Sequence, residues 1–181
     1  FIMAILATHL NVPTVVGTVM SNLGFVKAME AAGITVEKTA VGDRYVLENM
    51  LANNHTLGGE QSGHIIMREF ANTGDGVLTA LHLMQVMAAT GKPLHELAQV
   101  MKRFPQVLIN VKDIDKSRLD SNSAISAAIS ASEAELGSGG RILVRASGTE
   151  ALVRVMVEAE SITTAQGIAD KLAEIVRLEL K

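Results

Sequence analysis

The chain has 181 residues, a net charge of −3, 48% hydrophobic residues and 19% charged residues. That leaves room for one or two folded domains and excludes a disordered or strongly basic protein. With one Tyr, four Phe and no Trp, the composition argues against a nucleic-acid surface, which leans on aromatic stacking and a basic surplus. The lack of Cys leaves no disulfide framework or thiolate metal site and fits a cytoplasmic setting, and no run reaches the ~18 apolar residues of a membrane span.

The chain begins at Phe1 within a helical segment rather than at a Met, so a piece of a longer protein is expected. Val12 to Val19 is apolar and β-branched, which predicts a buried strand. Ser21 can cap a helix carrying Phe25, Met29 and Ala32 on one face, with Gly33 ending it. Ile34 to Thr39 reads as a strand and Asp43 to Ala52 as a helix. Leu57 to Met67, with Gly58, Gly59 and Gly63, reads as two strands joined by a turn or loop. Asp75 is then expected to cap a long helix with Val77, Leu81, Met84 and Ala88 as its face, and Pro93 to open a short one. This alternation predicts an α/β three-layer domain with helices on both faces of a sheet.

Phe104-Pro105 marks a break. Beyond it come a strand at Gln106 to Val111 and a helix with Ile125, Ala128, Ile129, Ser132 and Leu136 on one face. An antiparallel hairpin of Arg141 to Ala146 and Leu152 to Ala159 follows. A last helix, capped by Thr163 or Thr164, lines up Ile168, Leu172, Ile175 and Val176. This β-α-β-β-α pattern predicts a smaller α+β domain, with the boundary near residues 105 to 112.

Two polar clusters interrupt these elements. Arg145-Ala146-Ser147-Gly148-Thr149-Glu150 joins the hairpin strands. A guanidinium fork, two hydroxyls and a glycine backbone in so short a stretch suit a phosphate dianion. The same residues suit a plain Ser-Gly turn equally well. Gly58-Gly59-Glu60-Gln61-Ser62-Gly63-His64 places a carboxylate and a hydroxyl between glycines that let a ligand approach the backbone. Alone, it reads more readily as a glycine-rich turn with an incidental acid and His.

Taken together, Gly59-Glu60-Gln61-Ser62-Gly63-His64, Arg145 to Glu150 and Val153-Arg154-Val155-Met156-Val157-Glu158 resemble the C-terminal half of the phosphoglucosamine mutase family, a branch of the α-D-phosphohexomutases. Val16 to Gly24, Val41-Gly42-Asp43-Arg44-Tyr45-Val46 and Thr73-Gly74-Asp75-Gly76 match in the same order. The resemblance implies a junction helix at 1–10, the family's third domain at 11–105 and its fourth at 106–181. It implies conversion of glucosamine 6-phosphate to glucosamine 1-phosphate through a phosphoserine and a 1,6-bisphosphate. It further implies that Arg145, Ser147, Gly148 and Thr149 bind the idle phosphate, while Glu60 and Ser62, with His64 and Arg44 nearby, bind the sugar. The implied partners are a hexosamine phosphate and the parent's N-terminal domains, with no nucleic acid and no membrane. The nucleophilic serine and the magnesium loop belong to the family's first two domains, so no catalytic residue, Mg2+ or other metal site is expected in this chain, which should be inactive alone.

Asp113-Ile114-Asp115 lacks a third carboxylate for a metal, and His9, His55, His82 and His95 have no partners at metal-ligand spacing. Arg154 is expected to pair with Glu158 or Glu150, with a phosphate contact as the alternative. Ala151 stands where the family usually has Pro, which leaves φ unlocked at the loop exit. Gln61, with Gly148-Thr149-Glu150, favours the glucosamine enzyme over a phosphomannomutase or phosphoglucomutase. A stand-alone phosphosugar-binding module is the reading from a different class.

Overall fold

The computed structural model describes residues 1–181, which divide into two compact units, Phe1–Arg103 and Phe104–Lys181. In the first, helix α1 (Ile2–Leu10) precedes strand β1 (Thr14–Thr18), helix α2 (Leu23–Ala31), strand β2 (Thr35–Thr39) and helix α3 (Asp43–Ala52). Strands β3 (Leu57–Gly59) and β4 (Ile65–Met67) and helices α4 (Gly76–Thr90) and α5 (Leu94–Leu97) complete it. The sheet runs β2-β1-β3-β4; β1 is parallel to β2 and β3, and β3 is antiparallel to β4.

Strand alternation builds the layers, because successive side chains point to opposite faces. Val15, Leu57, Ile65 and Met67 join α1, Phe25, Met29 and Val86 in one core. Val16 and Ile66 face the other way, against Val46 and Met50 of α3. Gly58 makes the second layer possible: a Cβ there would meet Met50 Sδ at 2.6 Å and Val46 Cγ1 at 2.9 Å. Each fully buried aliphatic side chain contributes roughly 1.5–3 kcal/mol to holding these layers. The helix at the start is part of this core, with Met3, Ala4, Ile5, Leu6 and Ala7 buried in it.

Two local expectations change. The cap of α2 is Asn22, whose side chain accepts from Gly24 N at 3.0 Å, because Ser21 Oγ instead accepts from Thr18 N. In α4 the expected inner face is the outer one: Val77, Leu81 and Met84 are 73%, 57% and 54% exposed. Thr79 and Val86 are buried, and Leu78 and Leu83 pack against the core. The helix is apolar nearly all round, so its own period cannot select a face, and packing against the rest of the unit does.

The second unit holds β5 (Gln106–Lys112), α6 (Ser123–Leu136), β6 (Gly140–Ala146), β7 (Leu152–Ala159) and α7 (Ile162–Glu179). Its sheet is antiparallel with the order β5-β7-β6. Val153, Val155, Val157 and Ala159 of central β7 pack with Ile125 of α6 and with Ile168, Leu172 and Val176 of α7. Alternation puts Leu152, Arg154, Met156 and Glu158 on the reverse side of the strand. There the buried Glu158 accepts from its cross-strand partner Arg141, Nη2 at 2.9 Å and Nε at 3.1 Å. Helix α7 is capped by Ser161, which accepts from Thr164 N at 3.0 Å, so Thr163 and Thr164 lie within the helix. The chain is an α/β three-layer unit with a mixed sheet, followed by a smaller α+β unit.

Candidate functional site

Each unit carries one polar loop on a rigid support. In the first, Glu60, Ser62 and His64 occupy a single turn between β3 and β4, closed by Glu60 N to His64 O at 2.9 Å and Gly63 N to Glu60 O at 3.1 Å. Gly63 has φ 105°, a conformation that favours glycine. Gly59 is needed because a Cβ would lie 2.4 Å from His64 O. Glu60 Oε1 accepts from Gly42 N at 3.0 Å, which ties the turn to the start of α3 and leaves Oε2 to accept from a ligand. Ser62 Oγ lies 3.2 Å from His64 Nδ1, so the imidazole braces the hydroxyl.

Arg44 is not brought to this turn by its side chain. Its Nε donates to Glu48 Oε1 at 2.7 Å, one turn along α3, and the side chain is 83% exposed. Glu48 raises the guanidinium's pKa through this bond and its charge. The structure instead places a cleft of about 650 Å3 beside Glu60, Gln61, Ser62 and Gly63, lined also by Asn22, Phe25 and Arg103. The sequence reading did not single out Arg103. Its only local signal is a position just before the Phe104-Pro105 break.

In the second unit the side chain of Arg145, at the end of β6, makes no hydrogen bond or ion pair within the chain. Partial burial first, and then the charge of Arg154, hold its pKa below the ordinary guanidinium value. It stays protonated, and an anion would relieve both effects. The loop after it is closed by Ser147 N to Leu152 O at 2.9 Å and by Glu150 N to Ser147 Oγ at 3.3 Å. Ser147 is buried, and with its oxygen accepting from Glu150 its hydroxyl proton remains to be donated. The N–H groups of Gly148, Thr149 and Ala151 have no partner in the chain. No protein atom lies within 4 Å of where a Gly148 Cβ would sit, so that flank of the loop is open. Arg154 pairs with Glu150 at 2.7 Å rather than with Glu158.

Sequence reasoning also missed Lys116, whose Nζ donates to Ser147 O at 2.6 Å and to Glu150 O at 2.9 Å. No local pattern signals a contact across this sequence separation.

No three His, Asp or Glu side chains gather where they could hold a metal ion, and Asp115 is engaged in capping Ser117 N and Oγ. No helix is long and apolar enough to cross a membrane.

Both units match domains of known proteins. Residues 1–104 match the alpha/beta/alpha domain III of the phosphoglucomutase/phosphomannomutase family, and residues 108–175 match its C-terminal domain. The chain is 60% identical over 172 residues to a phosphoglucosamine mutase of Nocardioides sp., covering 95% of this chain and 38% of that protein. It is 58% identical over 174 residues to the phosphoglucosamine mutase of Streptomyces griseus, covering 96% of this chain and 38% of that protein. Among solved structures, Aspergillus fumigatus N-acetylphosphoglucosamine mutase superposes with a TM-score of 0.84 at 20% identity, over 98% of this chain and 43% of that one. A second structure of that protein, in complex with GlcNAc-6P and magnesium, gives a TM-score of 0.82 at 18% identity, over 99% of this chain and 43% of that one. The chain thus spans well under half the length of these relatives. It belongs to the phosphoglucomutase/phosphomannomutase family, as that family's domain III and C-terminal domain.

Proposed function

We propose that this chain is the substrate-holding part of a phosphoglucosamine mutase, which interconverts glucosamine 6-phosphate and glucosamine 1-phosphate through a phosphoserine and a 1,6-bisphosphate. The observation that carries the reading is the β6–β7 loop, where Arg145, whose guanidinium is unpaired in the chain, is followed by unbonded N–H groups at Gly148 and Thr149. Donors left without acceptors are costly unless water or a ligand completes them. A phosphate dianion completes several at once through charge-assisted bonds. Identity of 58–60% to phosphoglucosamine mutases supports glucosamine as the sugar.

In this reading Arg145, Ser147, Gly148 and Thr149 hold the phosphate that is not reacting. Glu60 Oε2 accepts from the sugar's C3 and C4 hydroxyls, and Ser62, braced by His64, adds a further bond. Those hydroxyls lie near the pseudo-twofold axis of the bisphosphate flip, so the same groups serve both orientations of the intermediate. Binding energy gathered far from the transferring phosphoryl group fixes it in line with the nucleophile, which is the main demand of phosphoryl transfer. The nucleophilic serine and the magnesium ligands come from the remainder of the longer protein, and the chain alone holds substrate without turning it over.

The test is to assay the longer protein that contains this chain on glucosamine 6-phosphate, glucose 6-phosphate and mannose 6-phosphate. The reading expects the highest kcat/KM on the glucosamine compound. A preference for glucose or mannose would move the assignment to another branch of the family.

A further inference from the structure

We propose that Lys116 is a positioning residue of the phosphate loop, an ammonium clamp that turns the loop's N–H groups outward before any ligand arrives. The inference rests on the phosphate-binding reading of that loop. Nζ donates to the carbonyls of Ser147 and Glu150, the two ends of the Ser147–Glu150 turn, at 2.6 and 2.9 Å. A trans peptide is planar, with its C=O and N–H pointing in opposite directions. Drawing Ser147 C=O toward Lys116 therefore aims Gly148 N–H away from it, and drawing in Glu150 C=O does the same for Ala151 N–H. Both N–H groups are unbonded in the chain, and space is open around Gly148. A cation on the carbonyl side also polarises the peptide and strengthens its N–H as a donor.

The clamp has a firm mount. Lys116 opens a short 3-10 turn, Lys116–Arg118, capped by Asp115, which accepts from Ser117 N at 3.1 Å and Ser117 Oγ at 2.6 Å. Asp115 N in turn donates to Leu180 O, just past α7, at 2.8 Å. The loop needs such help, since besides the exposed Arg154–Glu150 ion pair only Ser147 N to Leu152 O and Glu150 N to Ser147 Oγ hold it. Ala151 also lacks the ring that would lock φ at the loop exit. Lys116 supplies from outside a restraint that a proline would build into the backbone.

The experiment follows the backbone amides of the 15N-labelled chain by NMR, free and titrated with inorganic phosphate and glucosamine 6-phosphate. In Lys116→Ala, the Gly148 and Ala151 resonances should move and exchange faster before ligand is added, and affinity for both probes should fall about tenfold, the scale of one charge-assisted bond. Lys116→Met keeps the aliphatic stem, guards against loss of fold and should behave like the alanine variant. Lys116→Arg should recover part of the affinity. Unchanged free-loop resonances and affinity in Lys116→Ala would overturn the clamp. A fall in affinity with unchanged free-loop resonances would overturn it too, by making Lys116 a direct phosphate ligand. Failure of the wild-type chain to bind either probe would instead remove the phosphate reading itself, and the clamp with it.

Discussion

Arg145 and Arg154 stand directly opposite each other across β6 and β7, and only Arg154 has a carboxylate, Glu150 at 2.7 Å. Like charges facing each other across a sheet are destabilising. Arg154 Nε is moreover buried without a hydrogen-bond partner. The two arginines are tolerable in the free chain because Glu150 offsets one of them, and an anion would offset both. Glu150→Ala should therefore lower the unfolding free energy by about 0.5–1 kcal/mol, the range of a partly exposed pair. Added phosphate should recover more stability in the variant than in the wild type. Thermal melts with and without phosphate check this, and equal phosphate effects in the two proteins would count against it.

Two tasks are assigned to Glu60, and substitution can separate them. Its Oε1 holds Gly42 N, and its Oε2 is assigned to sugar hydroxyls. Glu60→Gln retains a carbonyl oxygen for Gly42 but loses the carboxylate as a hydroxyl acceptor. It should leave inorganic phosphate binding intact and weaken glucosamine 6-phosphate about tenfold or more. Calorimetry with the two ligands distinguishes the tasks, and equal loss for both would contradict them.

The mount of Lys116 is acid-sensitive. Hydrogen bonds from Ser117, side chain before backbone, hold the Asp115 carboxyl below its ordinary value of 3.8. With the folded value depressed, the cap's contribution is complete above the ordinary carboxylate range and is lost as pH falls through the folded value. Gly148 and Ala151 amide shifts should stay constant from about pH 5 to 8 and move only in stronger acid. In Asp115→Asn the share of this acid transition that the cap carries should disappear, as an NMR pH titration would record.

Helix α4 gives a direct check on packing. Leu81 lies on its exposed face and Val86, 3% exposed, on its buried one. Leu81→Lys should change the stability of the chain by less than about 0.5 kcal/mol, whereas Val86→Ala should cost about 2 kcal/mol. Denaturant unfolding of both variants gives the comparison.

The contrast in α4 marks where sequence is readable. Strand alternation around Val15 and Val16 was legible because a strand has two faces and both are apolar here. The stripes of α6 and α7 were legible because polar residues bound them, whereas α4 offers apolar residues on every side. Glu60, Ser62 and His64 could be placed together because they lie in one turn. The same holds for the loop that follows Arg145. Lys116 could not, since its two carbonyl partners come to it only through the packing of the whole second unit. Ser21 and Ser161 show a smaller version of the same limit. Adjacent hydroxyl and amide side chains compete for each helix start, and only tertiary hydrogen bonds choose among them.

The most direct measurement is the affinity of the Arg145→Ala chain for glucosamine 6-phosphate, with the amide spectrum recorded alongside to confirm the fold. The account predicts that binding is lost while resonances away from the β6–β7 loop stay in place. Binding at wild-type strength by a folded Arg145→Ala chain would contradict it.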